Sequence, residues 1–284
     1  MASTLIPATS PDRRPQIGWQ DVWRLPLPAL ERPLDRWIAR LSGTLALRQV
    51  RGFDALWQLS PAADPFILAM NHGSRRETVY LTALLLLARG GKPIHFLADW
   101  NFRLVPGVGY LYDHSGAITV WRKPARPAVL NRFKPTWASD ASSFELARER
   151  LASGASIALF PEGTINRRAD RLLRPRSGTA RLAIATGTPV IPFGIRFLGT
   201  RTGGRLIDSG SPIELRVGAP LVPPTATDMA TLHAFRARIM DALGALCGKS
   251  PRAAPVSESH RASSHRTPTT ADHTSIHDRG QPTC

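Results

Sequence analysis

The chain has 284 residues, 43% of them hydrophobic, and a formal net charge of +16; this is apolar material enough for a buried core and excludes a chain too polar to fold. A positive excess of that size speaks to partners, and it leaves nucleic acid, anionic lipid and phosphorylated small molecules as candidates. Cys247 and Cys284 are too few to frame a disulfide fold or a four-ligand zinc site, so no metal is expected and a reducing compartment is.

Residues 1–18 are rich in Ser, Thr, Pro and Arg without periodicity and read as a flexible arm. No basic stretch followed by an unbroken apolar run occurs before residue 60, which argues against a secretory signal. Residues 19–55 read as an amphipathic helical segment. In it Leu34, Trp37, Ile38, Leu41 and Leu45 recur at three- and four-residue steps, Arg36, Arg40 and Arg48 lie mostly off that stripe, and Pro33 suits a first turn. Such a helix either packs on the domain or lies in an anionic membrane interface, a setting that suits Trp19, Trp23 and Trp37.

Residues 65–70 form an apolar run that predicts a buried strand ending at Asn71-His72, and a helix follows over 75–89, stopped by Gly90-Gly91. The longest apolar run, 79–88, is shorter than the roughly 20 residues a membrane-spanning helix needs. Further strands are predicted at 94–98, 117–121, 156–160, 189–197 and 213–217, and helices at 142–152, 178–186 and 229–246. This alternation predicts a single α/β domain over 56–248, with a mainly parallel central sheet flanked by helices and the amphipathic segment before it. Residues 249–284 read as a disordered tail. With five basic and three acidic residues it leaves about +14 on the folded portion, and its four irregularly spaced histidines do not suggest a metal site.

Two short motifs carry chemistry. In Asn71-His72-Gly73-Ser74-Arg75-Arg76-Glu77, the histidine stands where a strand gives way to a helix, the end of a sheet at which α/β domains bind ligands. Residues five apart on one helix point about 140° from each other. His72 must therefore precede the helix if Glu77 is to orient it. Ser74 and Glu77 also make a Ser-x-x-Glu capping box, and the two roles of the glutamate can coexist. The second motif, Phe160-Pro161-Glu162-Gly163-Thr164, leads into a stretch from 167 to 181 with six arginines and one aspartate. That stretch is either a solvated basic face or a surface drawn to phosphate.

Together these residues resemble the glycerolipid acyltransferases that include bacterial 1-acylglycerol-3-phosphate acyltransferase. Asn71, His72 and Ser74 match that family's first block, with Glu77 in place of its aspartate, and Phe160 to Thr164 match the third in full. A second block is similar to residues 116–122, ending at Arg122 with Trp121 where the family carries an acidic residue. The fourth resembles Val190-Ile191-Pro192-Phe193, and Arg176 to Ala183 resembles a further basic and small-residue segment. The resemblance implies an acyltransferase with no cofactor that takes an acyl group from acyl-CoA or acyl carrier protein and esterifies a lysophospholipid. The acceptor it implies first is 1-acylglycerol-3-phosphate, with another lyso-lipid as the alternative. It implies His72 as base with Glu77 orienting it, a substrate side made of Arg122, Glu162, Gly163, Thr164, Arg176 and Arg181, and structural support from Asn71, Ser74 and Pro192. Glu162 is expected either to orient an arginine or to accept from an acceptor hydroxyl. The expected location is peripheral, on the cytoplasmic face of an anionic membrane. A non-catalytic basic protein binding lipid or nucleic acid is the rival from another class, though no nucleic-acid reading motif is present.

Overall fold

The computed structural model describes residues 17–99, 116–120, 132, 142–201 and 203–251. Seven strands form one sheet in the order β1-β9-β6-β2-β5-β3-β4, made of β1 (Val50–Arg51), β2 (Ile67–Met70), β3 (His95–Asp99), β4 (Ile118–Val120), β5 (Ile157–Leu159), β6 (Val190–Phe197) and β9 (Ile213–Val217). All neighbours run parallel except β6 and β9. The exception has a simple cause. A parallel return needs a long crossover, whereas between β6 and β9 lies only a small ribbon among the described residues, β7 (Thr200–Arg201) against β8 (Leu206–Ile207), which brings the chain straight back.

Strand β2 sits at the centre and is buried on both faces, as its uninterrupted apolar run requires. Its side chains alternate between two cores. Leu68 and Met70 join the layer under α1 (Trp19–Arg24), α2 (Pro33–Leu47) and α3 (Arg75–Ala88). Ile67 and Ala69 join the opposite layer, under α4 (Ser143–Ala152), α5 (Gly178–Thr186) and α6 (Met229–Cys247). Helix ends follow local chemistry. Ser142 and Asp228 cap α4 and α6 by accepting from Glu145 N–H at 3.2 Å and Thr231 N–H at 2.9 Å. Gly248, at φ +72°, takes the left-handed turn that stops α6.

Helix α2 packs on the domain through Ala39, Gly43 and Ala46, which are buried, while Leu34, Trp37, Leu41 and Leu45 of its large apolar stripe point outward. Small residues let α2 approach α3 closely, and a Cβ on Gly43 would collide with Leu87. One expectation needs correction: the tail does not begin at 249. Lys249 is buried, Ser250 N–H donates to Asp170 C=O at 3.0 Å, and Leu172 N–H donates to Ser250 C=O at 2.9 Å. Once Gly248 turns the chain, Lys249 N–H returns to Gly244 C=O of α6 and Ser250 pairs with the stretch that follows the second motif, which polar composition alone does not reveal.

At the amino end of the central strands, Arg89 and Lys92 pair with Asp64 at 2.8 and 2.7 Å, and the Ser156 hydroxyl donates to the same carboxylate. Burial alone would raise this carboxyl. The hydrogen bonds from Lys92, Ser156 and Arg89, with the Arg89 charge, overcome it and hold Asp64 below its ordinary range. This network anchors the sheet end remote from the two motifs.

Candidate active site

Strand register brings the motifs together. Ala69 of β2 lies opposite Leu159 of β5 and the strands run parallel, so the residues leaving their carboxyl ends emerge side by side. The His72 ring stacks on Phe160, with centroids 4.3 Å apart and planes inclined by 24°. Asn166 N–H donates to His72 C=O at 2.7 Å, tying the loop after the second motif to the backbone of the first. On the other side of β2, Asn71 is fully buried and clips β6: its amide donates to Ile195 C=O at 2.8 Å and accepts from Ile195 N–H at 2.7 Å. Its expected structural role is thus a link between neighbouring strands. Pro192 lies within β6 opposite Ala69, and its carbonyl accepts from Gly218 N–H at 2.9 Å.

Glu77 stands in the first turn of α3 with its side chain only 1% exposed. It accepts three N–H groups: Gly73 N–H at 2.6 Å and His72 Nδ1 at 2.9 Å on Oε1, and Ser74 N–H at 2.6 Å on Oε2. The Ser74 hydroxyl accepts from Arg76 N–H at 3.2 Å. The capping box and the histidine contact therefore coexist. Because Glu77 Oε1 can only accept, His72 carries its proton on Nδ1 and leaves Nε2 free as a base. The histidine side chain is 16% exposed, so the ring is not sealed from the surface.

The second motif turns at Gly163, whose φ of +67° suits glycine. Gly163 N–H donates to Phe160 C=O at 2.8 Å and Arg176 N–H to Pro161 C=O at 2.8 Å. The Arg176 stem crosses Gly163 so closely that any Cβ there would collide with it. Gly163, Thr164 and the Arg176 side chain are thus exposed together at the rim. Glu162 departs from expectation. It points inward, 3% exposed, and its Oε2 accepts from Asn166 Nδ2 and Leu173 N–H, both at 2.7 Å. It braces the turn and meets neither an arginine side chain nor the rim, because the left-handed residue after it carries the chain outward while its own side chain stays under the turn. Burial raises its carboxyl above the ordinary range, against the pull of the Leu173 and Asn166 hydrogen bonds, the Lys249 charge and the His72 backbone N–H.

Arg181 lies apart from this cluster, its guanidinium over the Phe144 ring of α4 at 5.6 Å. Arg122 and Trp121 fall outside the described residues. Asn166 was not singled out from sequence. It donates to Glu162 and to Arg171 C=O, accepts from Arg168 N–H at 3.0 Å, and holds the His72 carbonyl, yet a lone asparagine in an arginine-rich stretch carries no spacing signal. A cavity of about 70 Å³ beside Glu77, lined by Gln49, Arg76, Tyr80 and Ser211 among others, is well below the size of sites that enclose a whole small molecule.

A strand-end histidine held by a buried carboxylate, beside a turn that offers an arginine and a hydroxyl, is a site built for group transfer to or from a hydroxyl. The sequence family described as Acyltransferase matches residues 54–196, half of the chain, and the chain belongs to that family. It is 27% identical over 152 residues to the chloroplastic 1-acyl-sn-glycerol-3-phosphate acyltransferase of Arabidopsis thaliana, covering 53% of this chain and 36% of that one. A 1-acyl-sn-glycerol-3-phosphate acyltransferase of Chlamydomonas reinhardtii is 28% identical over 161 residues, covering 56% of this chain and 41% of the relative. The matches thus span about two fifths of those relatives' length. The crystal structure of the 1-acyl-sn-glycerophosphate acyltransferase of Thermotoga maritima superposes with a TM-score of 0.48 at 18% identity, over 74% of this chain and 80% of that one.

Proposed function

We propose that the protein moves a fatty acyl group from an acyl thioester, acyl-CoA or acyl carrier protein, to the free hydroxyl of 1-acylglycerol-3-phosphate, giving phosphatidic acid. The observation that carries this reading is the contact between His72 Nδ1 and Glu77, which leaves Nε2 as a base beside the turn from Phe160 to Thr164. The acceptor hydroxyl gives its proton to Nε2 as its oxygen bonds to the thioester carbonyl carbon. The tetrahedral oxyanion then collapses, the carbon–sulfur bond breaks, and the imidazolium returns the proton to the departing thiolate. Glu77 holds the tautomer and stabilises the imidazolium in between. Arg176, drawn over Gly163, supplies a planar fork that suits the acceptor phosphate, with Thr164 as a hydroxyl donor beside it. The names of both curated relatives specify the same acceptor.

The outer surface of the amino-terminal helices supports work at a membrane surface. Trp19, Trp23, Leu34, Trp37, Leu41 and Leu45 are between 37% and 61% exposed, an unpartnered apolar band suited to a lipid–water boundary. No helix among the described residues is long and apolar enough to cross a bilayer. The test presents the purified protein with labelled acyl-CoA and a panel of lyso-lipids in anionic vesicles. The expected result is transfer to 1-acylglycerol-3-phosphate, poor transfer to acceptors without the phosphate, and none by His72→Ala. Absence of transfer to any acceptor, or undiminished transfer by His72→Ala, refutes the reading.

A further inference from the structure

Beneath the second motif lie two buried charged groups that the proposed mechanism leaves unused. Glu162 Oε1 and Lys249 Nζ are both shielded from solvent, and neither has a partner at hydrogen-bonding geometry among the described residues, although the His72 N–H is near enough to pull on the carboxyl. Residues this buried, at 3% and 5% exposed, rarely keep an unsatisfied charged atom without cause. Lys249 is fixed in place. It follows the left-handed Gly248 that ends α6, its N–H donates to Gly244 C=O at 3.1 Å, and Ser250 after it pairs with Asp170 and Leu172 at the far edge of the turn. That pairing holds Lys249 against residues 170–173, the segment whose Leu173 N–H donates to Glu162, so the two buried charged residues flank one stretch of chain and their charges act on each other.

On the acyltransferase reading above, we propose that Lys249 is a positioning residue: its buried ammonium keeps Glu162 ionised, and the ionised Glu162 holds Asn166 and Leu173, and through them the turn, against His72. The chain of contacts is continuous. Glu162 Oε2 accepts from the Asn166 amide and from Leu173 N–H, and Asn166 N–H reaches the His72 carbonyl. A protonated Glu162 binds those donors more weakly, since hydrogen bonds to a charged acceptor are about twice as strong as neutral ones. The direction of the effect follows from the surroundings. Burial raises the Glu162 carboxyl, and the Lys249 charge opposes it. Burial also lowers the Lys249 ammonium, which Glu162, Cys247, Glu77 and Asp170 pull back up from α6, α3 and the turn itself. Removing the ammonium leaves burial less opposed, so Glu162 takes up a proton at higher pH. Activity that needs the carboxylate is then lost earlier as pH falls.

The test compares wild type, Lys249→Met, Glu162→Gln and the double variant by kcat/KM with acyl-CoA and 1-acylglycerol-3-phosphate, and by melting temperature, both as functions of pH. Lys249→Met is expected to move the acid limb of the kcat/KM profile up by about one pH unit, the lower end of the effect of a lost neighbouring charge. It should keep most of its rate at the alkaline end. In the Glu162→Gln background the same substitution should move no limb, and the two melting shifts should be non-additive, because Glu162→Gln strands the ammonium and Lys249→Met then relieves it. Lys249→Gln replaces the methionine variant if that protein fails to fold. An unmoved limb, a loss equal at all pH values and in both backgrounds, or additive melting shifts would overturn the proposal. A wild type that transfers no acyl group overturns the acyltransferase reading and the positioning role with it. The melting cycle then still decides whether the two buried charges are coupled.

Discussion

Replacing Glu77 by glutamine changes one atom and separates the two tasks of that side chain. The carboxylate faces three N–H groups, two on Oε1 and one on Oε2. A glutamine has one oxygen for them. With its oxygen in the Oε1 position, His72 and Gly73 keep their acceptor but Ser74 N–H meets an NH2 group. With the amide reversed, the helix cap survives, while the NH2 meets Gly73 N–H and forces the imidazole into the opposite tautomer, with its proton on Nε2 and no base at the rim. Either arrangement leaves a buried donor unpaired at a cost of about 1–3 kcal/mol, which in a domain of this size lowers the melting temperature by about 2–4 °C per kcal/mol. Catalysis loses more, because the first arrangement removes the charge that stabilises the imidazolium and the second removes the base itself. The analogous amide replacement beside the histidine of a serine-protease triad lowers kcat by about 10⁴, and a fall of 10³ to 10⁴ is expected here with little change in KM. Steady-state transfer to 1-acylglycerol-3-phosphate, with the melting curve recorded on the same preparation, measures both effects. A Glu77→Gln protein whose kcat stays within about threefold of wild type, less than 0.7 kcal/mol in the barrier, would refute the dyad.

Two further outcomes follow from the packing. Changing Trp37 and Leu41 together to serine should leave the melting temperature unaltered, because both side chains point away from the domain. The change should weaken binding to anionic vesicles about tenfold or more, from the lost apolar insertion; unchanged binding in a sedimentation assay would remove the amino-terminal helices from the membrane. Arg89→Met, at the other end of the sheet, strips Asp64 of one cation and the Leu59 carbonyl of its donor. It should cost about 3 kcal/mol, the low end for a broken buried pair, because Lys92 remains. Asp64 is held below its ordinary range, so its contribution to stability is present above the unfolded value of about 3.9 and is lost as pH falls through the folded one. The acid limb of the wild-type melting profile should therefore flatten in Asp64→Asn, and an identical limb would assign the acid sensitivity to other carboxylates.

The central strands and long helices were legible because burial on two faces writes unbroken apolar runs, and because a cap such as the Ser74–Glu77 box has a local signature. Residues 213–217 and 178–186 fold over the bounds expected from sequence. Strand β1 and the ribbon of β7 and β8 were not legible: two-residue strands carry no period, and their pairing is set by partners far along the chain. The antiparallel turn of β9 was hidden for the same reason, since strand direction depends on how residues 198–212 return. In the site, His72 and the placement of Glu77 could be argued from one local stretch. The inward turn of Glu162 and the roles of Asn166 and Lys249 could not, because each depends on contacts made across the fold.

Glutamate at position 77 suits the geometry of α3. A carboxylate at the third helical position has to reach back to the cap, and this side chain places one oxygen at Ser74 N–H while the other spans Gly73 N–H and His72 Nδ1. The His72–Glu77 contact thus inherits the rigidity of a helix start, and the imidazole cannot turn unless the cap opens. Gly73, between the two residues, is pressed against Phe197 and Ile207 so tightly that no Cβ fits. Asn71 before them is clipped to β6, and Phe160, just past the end of β5, stacks on the ring. The base is therefore held by neighbours on both sides of β2 and from the helix that follows it. Its precision depends on strand register as much as on the two residues that form the dyad, and a substitution that slips β2 against β5 should lower kcat even where both dyad residues remain.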